Sequence, residues 1–285
     1  MKYEKTQPGN PHRLTVNQHV LPVRCIERFA GSDGCVDVCV ANRPNLLRLA
    51  PQNGLFRTKR TWDEKAERHF MKRIEDKFQE LADKIVNGEV QIVEGSEATT
   101  VNLYFALWYH RSRYPRPDDP FVRNMDVTPN DLTKDQREKL EKNGVGYYGP
   151  EGMPARFIAG AQLQILTGRM AHHIRDLTWG VVHPLEGEFV MPDIPSHKLL
   201  PIDPTTCLAA SHPSGHIPRE NLREVNAALI AMSCRYYFAR DMRAACHGLT
   251  RDAVKRAGEK TMAELSALNS QEVTERRVVG RRLAD

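Results

Sequence analysis

One unbroken apolar stripe between residues 61 and 88 places the strongest constraint on what this chain can fold into. Its members recur at the spacing of a single helix face: Ala66, Phe70, Ile74, Phe78, Leu81 and Ile85. Thr61-Trp-Asp-Glu64 has the spacing of a capping box, and Asn87-Gly88 suits a helix end. The stripe therefore predicts a long helix with one buried face.

Further helices alternate with short strands along the rest of the chain. Helical patterns run from Ser96 to about Arg113, over about 133–143, from Met153 to about Leu177, and onward from Pro218. Strand patterns lie near 35–41, 179–183, 188–191, 198–202 and 206–210. Pro-Leu-Glu-Gly between the second and third of these strands predicts a hairpin. The expected fold class is α+β, predominantly helical, with a small and mostly antiparallel sheet of short strands.

Breaks in these patterns predict how the chain is divided. The prolines of Tyr114-Pro-Arg-Pro-Asp-Asp-Pro120 interrupt it, and a glycine-rich run follows at 143–149. We expect residues 1–247 to form a single main domain, within which 115–153 is an insertion or a lid-like excursion. Residues 248–285 are expected to form a helical C-terminal extension.

Composition bounds the class of protein. Hydrophobic residues make up 40% and charged residues 27%, as in ordinary globular proteins. The net charge of +5 is compatible with an anionic partner. The polar, proline-containing start does not resemble a signal peptide, and no apolar run approaches the roughly 18 residues that span a bilayer. We therefore expect a cytoplasmic protein without membrane contact.

The cysteines do not predict a metal site. Six of them are scattered through the chain, and in the cytosol they should stay reduced. Cys35 and Cys39 lie four residues apart in a strand pattern, about 13 Å at strand spacing, which is too far to share one zinc ion. No metal ligands and no particular cofactor are predicted.

Four polar residues stand at the ends of predicted elements. His19, in His19-x-x-Pro22, is expected just before or in the first turn of a helix, either as a functional imidazole or as a capping residue. Arg111 extends an apolar helix face, so it needs a carboxylate such as Glu75 or the phosphate of a ligand. Asp193 ends a strand, and Asn226 lies inside an apolar stripe, where its amide must be hydrogen-bonded.

The order of these motifs resembles the bacterial and viral family called domain of unknown function 4238. The resemblance covers roughly residues 15–240. In that family the strand usually ends in Ser-Asp-Asn-Pro-Val, whereas this chain reads Met191-Pro-Asp-Ile-Pro195 and lacks the serine and the asparagine. What the resemblance implies is a topology, because the family carries no established activity.

Two hypotheses account for these residues. In the first, the protein binds a nucleotide or nucleic-acid phosphate and hydrolyses phosphodiesters, with His19 and Asp193 as catalytic residues. Arg111, Asn226 and Glu75 would then bind the ligand. In the second, the protein is a non-catalytic interaction protein, such as a phage–host conflict or regulatory factor, and the same residues form a buried structural network. These residue types are consistent with both an enzyme and a binding protein, and they predict no oligomeric state.

A cluster of arginines near the C-terminus adds a nucleic-acid hypothesis. Arg276, Arg277, Arg281 and Arg282 form a local patch that attracts anions. If this patch binds nucleic acid, binding should be sensitive to salt and should weaken when the four arginines are removed. The alternative interpretation is a frayed and solvated terminus.

Overall fold

Helices and antiparallel strands both contribute substantially to the fold. The computed structural model describes residues 3–41, 45–115, 118–123, 128–129, 131–195 and 199–260. Helices account for 43% and strands for 20%, so the fold class is α+β. No helix in these described ranges is long and apolar enough to cross a membrane.

The elements are numbered in chain order. The α-helices are α1 (Val23–Glu27), α2 (Lys72–Val86), α3 (Gly95–Arg113), α4 (Lys134–Lys142), α5 (Ala155–His173), α6 (Arg219–Met232) and α7 (Met242–Ala245). The strands are β1 (Asn17–His19), β2 (Val36–Val40), β3 (Leu46–Leu49), β4 (Arg57–Lys59), β5 (Ile92–Val93), β6 (Phe121–Val122), β7 (Met153–Pro154), β8 (Trp179–Pro184), β9 (Met191–Pro192), β10 (Leu199–Asp203), β11 (Thr206–Ala210), β12 (Gly215–Ile217) and β13 (Tyr236–Ala239). A 3-10 helix spans Gly54–Phe56, a π-helix spans Ala66–Met71, and residues 251–260 are helical.

The described strands belong to several sheets rather than to one. A five-stranded sheet has the order β10-β11-β8-β12, with β5 also paired to β8, and a four-stranded sheet has the order β3-β2-β13-β9. Two small ladders, β1-β4 and β6-β7, complete the set. The pairing is antiparallel except between β12 and β8. The sequence predicted one small sheet because the short strand patterns carry no information about their partners.

The main core gathers around helix α3, which packs against α2 and α5. Val101, Tyr104 and Trp108 of α3 are buried, as the apolar face of that helix predicts. Where the core meets the four-stranded sheet, Phe29 and Phe56 each make an edge-to-face contact with Phe238 at a centroid distance of 5.6 Å. Arg111 lies at the end of α3, beside this core.

The segment around His19 differs from its prediction. His19 was expected at a helix start, but it ends strand β1, and helix α1 begins only at Val23. Backbone pairing explains the difference: Asn17 lies opposite Lys59, and His19 lies opposite Arg57. That partner strand is about forty residues away, so helical periodicity in the local sequence could not indicate it.

The predicted hairpin around Pro-Leu-Glu-Gly is wrong. Strand β8 pairs with β11, β12 and β5, whereas β9 pairs with β13 in the other large sheet. The two strands that flank the turn therefore separate into different sheets. Competition from more distant strand partners outweighs the local turn signal.

Candidate functional site

Arg111 is the centre of a buried polar cluster. Its side chain is only 3% exposed, and its guanidinium donates hydrogen bonds to the carboxylate of Glu75 on α2 and to the backbone carbonyl of His19 in β1. It also lies over the Trp62 ring, with 4.9 Å from the guanidinium carbon to the ring centroid. Burial by itself lowers the pKa of Arg111, but Glu75 and Glu67 outweigh it and hold this pKa above the ordinary value. Arg111 is therefore a permanent cation whose charge is balanced within the protein.

His19 is positioned by the same cluster and by the strand opposite. Its Nε2 accepts a hydrogen bond of 3.2 Å from Arg57 Nε, which the β1-β4 pairing places directly across the ladder. Burial and the nearby charges of Arg57 and Arg111 lower the pKa of His19 to about 4. The imidazole is consequently neutral at pH 7 and is a weak base there.

Glu67 belongs to this cluster but was not singled out by the sequence. Its carboxylate accepts a hydrogen bond from Trp62 Nε1. Burial raises the pKa of Glu67, while Arg111 opposes the shift. Glu67 lies in the π-helix, whose wider turns change the rotation per residue, so a period of 3.6 residues cannot predict which face it occupies.

The start of that helical region also differs from the predicted capping box. The Asp63 carboxylate, rather than the Thr61 hydroxyl, accepts a hydrogen bond from the Ala66 backbone N–H at 2.9 Å. The Thr61 hydroxyl bonds Thr58 at 2.6 Å, and the Glu64 carboxylate accepts from the Thr15 backbone N–H at 2.7 Å. Contacts with the preceding strands therefore replace the reciprocal local bonds.

Asp193 is placed in a different polar environment. Its two carboxylate oxygens accept hydrogen bonds from the backbone N–H groups of Cys234 and Arg235, each at 2.9 Å. Burial raises the pKa of Asp193, and these backbone hydrogen bonds oppose that shift. The carboxylate thus fixes the turn that leads into β13 beside β9.

Asn226 is completely buried and joins three segments of backbone. Its Oδ1 accepts from the Val190 N–H at 3.0 Å. Its Nδ2 donates to the carbonyls of Glu188 and Ala245, at 2.8 and 2.9 Å. The side chain therefore ties α6 to the segment before β9 and to the end of α7, and both N–H groups of its amide are used in doing so.

The structure brings together some of the predicted site residues and separates others. His19, Arg111 and Glu75 meet in one cluster, to which Arg57, Trp62 and Glu67 also belong. Among the described residues, no hydrogen bond or ion pair joins Asp193 or Asn226 to that cluster. No signal in the sequence could have identified Arg57, because its relation to His19 depends on strand pairing.

Two further predictions concern metal ions and the C-terminal patch. Within the part of the chain that the structure describes, no group of three or more His, Cys, Asp or Glu side chains is arranged to hold a metal ion. Arg276, Arg277, Arg281 and Arg282 lie outside the described residues, so their proposed nucleic-acid contact stays a prediction.

Comparisons with known proteins provide no relative. No family model matches the chain, and neither curated proteins nor solved structures include a significant match. The resemblance to domain of unknown function 4238 therefore stays a prediction that rests on the quoted motifs.

Proposed function

We propose that this chain is a non-catalytic interaction protein, in which His19, Arg111, Glu75, Asp193 and Asn226 form structural networks. One observation carries the proposal: in the described part of the chain Asp193 and Asn226 hydrogen-bond to the protein's own backbone, and Arg111 bonds the His19 carbonyl and the Glu75 carboxylate. A side chain used in this way braces loops and strand ends. Asp193 and Asn226 then have little capacity left for a ligand, and on Arg111 the buried Nε alone lacks a partner among the described residues.

The protonation state of His19 also supports the proposal. A general base works best when its pKa lies near the working pH, and a pKa of about 4 is far below neutrality. Asp193, the other catalytic candidate, has no hydrogen bond to His19 and is engaged by two backbone N–H groups. Phosphodiester hydrolysis through this pair therefore has less support than the structural role.

The partner class that we propose is anionic, and nucleic acid is its leading member. The net charge of +5 favours such a partner, as does the sequence of the C-terminal patch with its four arginines. In this proposal the cluster around Arg111 holds the fold in shape, and other surfaces make the contact.

An assay of hydrolysis together with stability distinguishes the two hypotheses. The protein and its His19→Ala variant are incubated with single- and double-stranded oligonucleotides, with and without divalent metal ions, and their unfolding in urea is measured in parallel. We expect no His19-dependent cleavage, and a free energy of unfolding lower by about 1 to 2 kcal/mol because packing and the bond to Arg57 are lost. His69→Ala, at an exposed histidine, is the control. Cleavage that disappears in His19→Ala, with unchanged unfolding, would contradict the proposal.

A further inference from the structure

A surface cavity of about 460 Å³ lies between the end of α3 and the middle of α5. Its walls include His110, Arg113, Tyr114, Ile165, Leu166 and Arg169. None of these residues belongs to the cluster around Arg111. The volume falls within the range of roughly 300–1,000 Å³ that is usual for small-molecule sites.

The cavity wall carries two cations and no carboxylate, although the charge of Asp193, which lies outside the wall, acts on Arg113. Arg113 and Arg169 both line it, and none of its lining residues is acidic. The two helices explain this: α5 contains no aspartate or glutamate, and α3 contains none after Glu97. Two guanidinium groups with no acidic neighbour in the wall favour an anion, and Arg presents donors that fit phosphate geometry.

Two polar atoms in this wall have no hydrogen-bond partner among the described residues. They are Arg113 Nη1 and His110 Nε2, and both are shielded from solvent. The other terminal nitrogen of Arg113 makes only a long bond of 3.5 Å to the Pro195 carbonyl, and its guanidinium carbon lies 3.9 Å from the Tyr109 ring centroid. Buried polar atoms are usually satisfied in folded proteins, so the Arg113 nitrogen is a donor left open for a ligand that displaces its cover, whereas the Leu166 backbone already engages the His110 ring.

The remaining wall is largely apolar, with Gln162 as a polar member. Ile165 is 54% exposed and Leu166 is 37% exposed, although both are large hydrophobic residues on a helix that also has a buried face. The Tyr114 hydroxyl donates to the Gln162 side chain at 2.6 Å, and this bond holds the phenol ring at the cavity rim. Apolar side chains beside two cations suit a ligand that carries a charged group on a flat or apolar body.

We propose that this cavity binds a small organic phosphate of nucleotide size. Its phosphate contacts Arg113 and Arg169, and its ring packs against Tyr114, Ile165 and Leu166. A phosphate monoester carries close to two negative charges and three acceptor oxygens near neutral pH, so it matches two guanidiniums better than a single carboxylate does. This inference goes beyond the proposed function and does not depend on it, because it uses none of the residues of the structural networks.

Isothermal titration calorimetry of the full chain tests the site. The probes are the four nucleoside monophosphates, the matching nucleosides, inorganic phosphate and a single-stranded oligonucleotide. We expect at least one monophosphate to bind saturably. The matching nucleoside and inorganic phosphate should each bind at least about tenfold more weakly. Arg169 is exposed, so Arg169→Gln should leave the fold unchanged. It should weaken binding of the monophosphate by about tenfold.

Arg243→Gln is the matched control, since it removes the same charge from an exposed position on α7. It should leave monophosphate affinity unchanged. Arg113→Gln is the second variant, with the same expected loss as Arg169→Gln. The proposal is overturned if no monophosphate binds, if the two cavity variants bind like the unaltered protein, or if only the oligonucleotide responds to Arg169→Gln.

Discussion

Arg111 shows how a single buried charge can organise three parts of the chain. It joins the end of α3 to Glu75 on α2 and to the backbone of β1. An arginine buried this completely needs its charge balanced, and here two of its nitrogens bond Glu75 and the His19 carbonyl, while Nε has no partner among the described residues. The same bonds that neutralise Arg111 therefore fix the position of His19.

His19 provides a prediction about pH. Its pKa is about 4 in the folded chain, against an ordinary 6.5 when the chain is unfolded. Between these values the unfolded state binds a proton that the folded state does not, so stability is complete above about pH 6.5 and decreases as the pH falls toward 4. From about pH 7 to pH 4.5, we expect the unaltered protein to lose roughly 1 kcal/mol more stability than His19→Asn, less than the full shift would give because solvent screens the partly exposed imidazole.

Urea unfolding across this pH range measures the difference between the two proteins, and NMR titration of the imidazole gives the pKa directly. The His19→Asn comparison cancels the carboxylates that titrate in the same acid range. An imidazole that titrates near 6.5 in the folded protein would show that burial and Arg57 do not act on it as described.

At the scale of elements, Asn226 determines how α6 meets the sheet. Its amide bonds Val190, Glu188 and Ala245, so one side chain holds two separate segments against the helix. Replacing it would leave three backbone groups without partners in a site that admits no solvent. Such groups each cost about 1 to 3 kcal/mol.

We therefore expect Asn226→Ala to lower the free energy of unfolding by about 3 kcal/mol. Asn221→Ala is the control, because Asn221 lies on the same helix and is exposed. It should change stability by less than about 0.5 kcal/mol. Urea denaturation of both variants gives the comparison, and equal stability of the two would refute the bracing role of Asn226.

The sequence predicted those elements whose signal is local. Helix α3 begins one residue before the expected Ser96 and ends at Arg113 as expected. Helix α4 lies within the pattern predicted over about 133–143, and Thr133 caps it through a capping box that includes Gln136. Strand β11 has the expected bounds, Thr206–Ala210. Each of these depends on spacing within a few residues, which periodicity and capping rules describe well.

What the sequence could not predict depends on partners far along the chain. The strand that contains His19 forms by pairing with the strand Arg57–Lys59. The segments on either side of the turn at 184–187 belong to different sheets. In the candidate site, the pairing of Arg111 with Glu75 was one of the alternatives that the sequence raised. The bond from Arg111 to the His19 carbonyl required the tertiary structure.

At the scale of the whole molecule, a second buried charge cluster connects distant parts of the chain. Glu141 of α4 accepts from Arg60 at 2.8 Å and from Arg156 of α5 at 2.6 and 2.9 Å. Arg156 also bonds Glu4 and the Tyr147 hydroxyl, the latter at 2.9 Å. These contacts join the N-terminal segment and α4 to the helical core, and the lid-like role suggested for 115–153 stays a prediction.

Both charge clusters hold connecting segments against the helices. We propose that the cluster around Arg111 stabilises the fold and is not reserved for a ligand. An uncharged residue of similar length at position 111 distinguishes a structural role from ligand binding. It removes the bonds to Glu75 and to the His19 carbonyl while largely filling the same space.

The most direct measurement is the free energy of unfolding of Arg111→Met, compared with that of Arg73→Met at an exposed position on α2. We expect Arg111→Met to lose about 3 kcal/mol, since removing one partner of a buried ion pair leaves the other uncompensated. Arg73→Met should stay within about 0.5 kcal/mol of the unaltered protein. If Arg111→Met is as stable as the unaltered protein and has lost affinity for an anionic ligand, then Arg111 is a binding residue and the structural account is wrong.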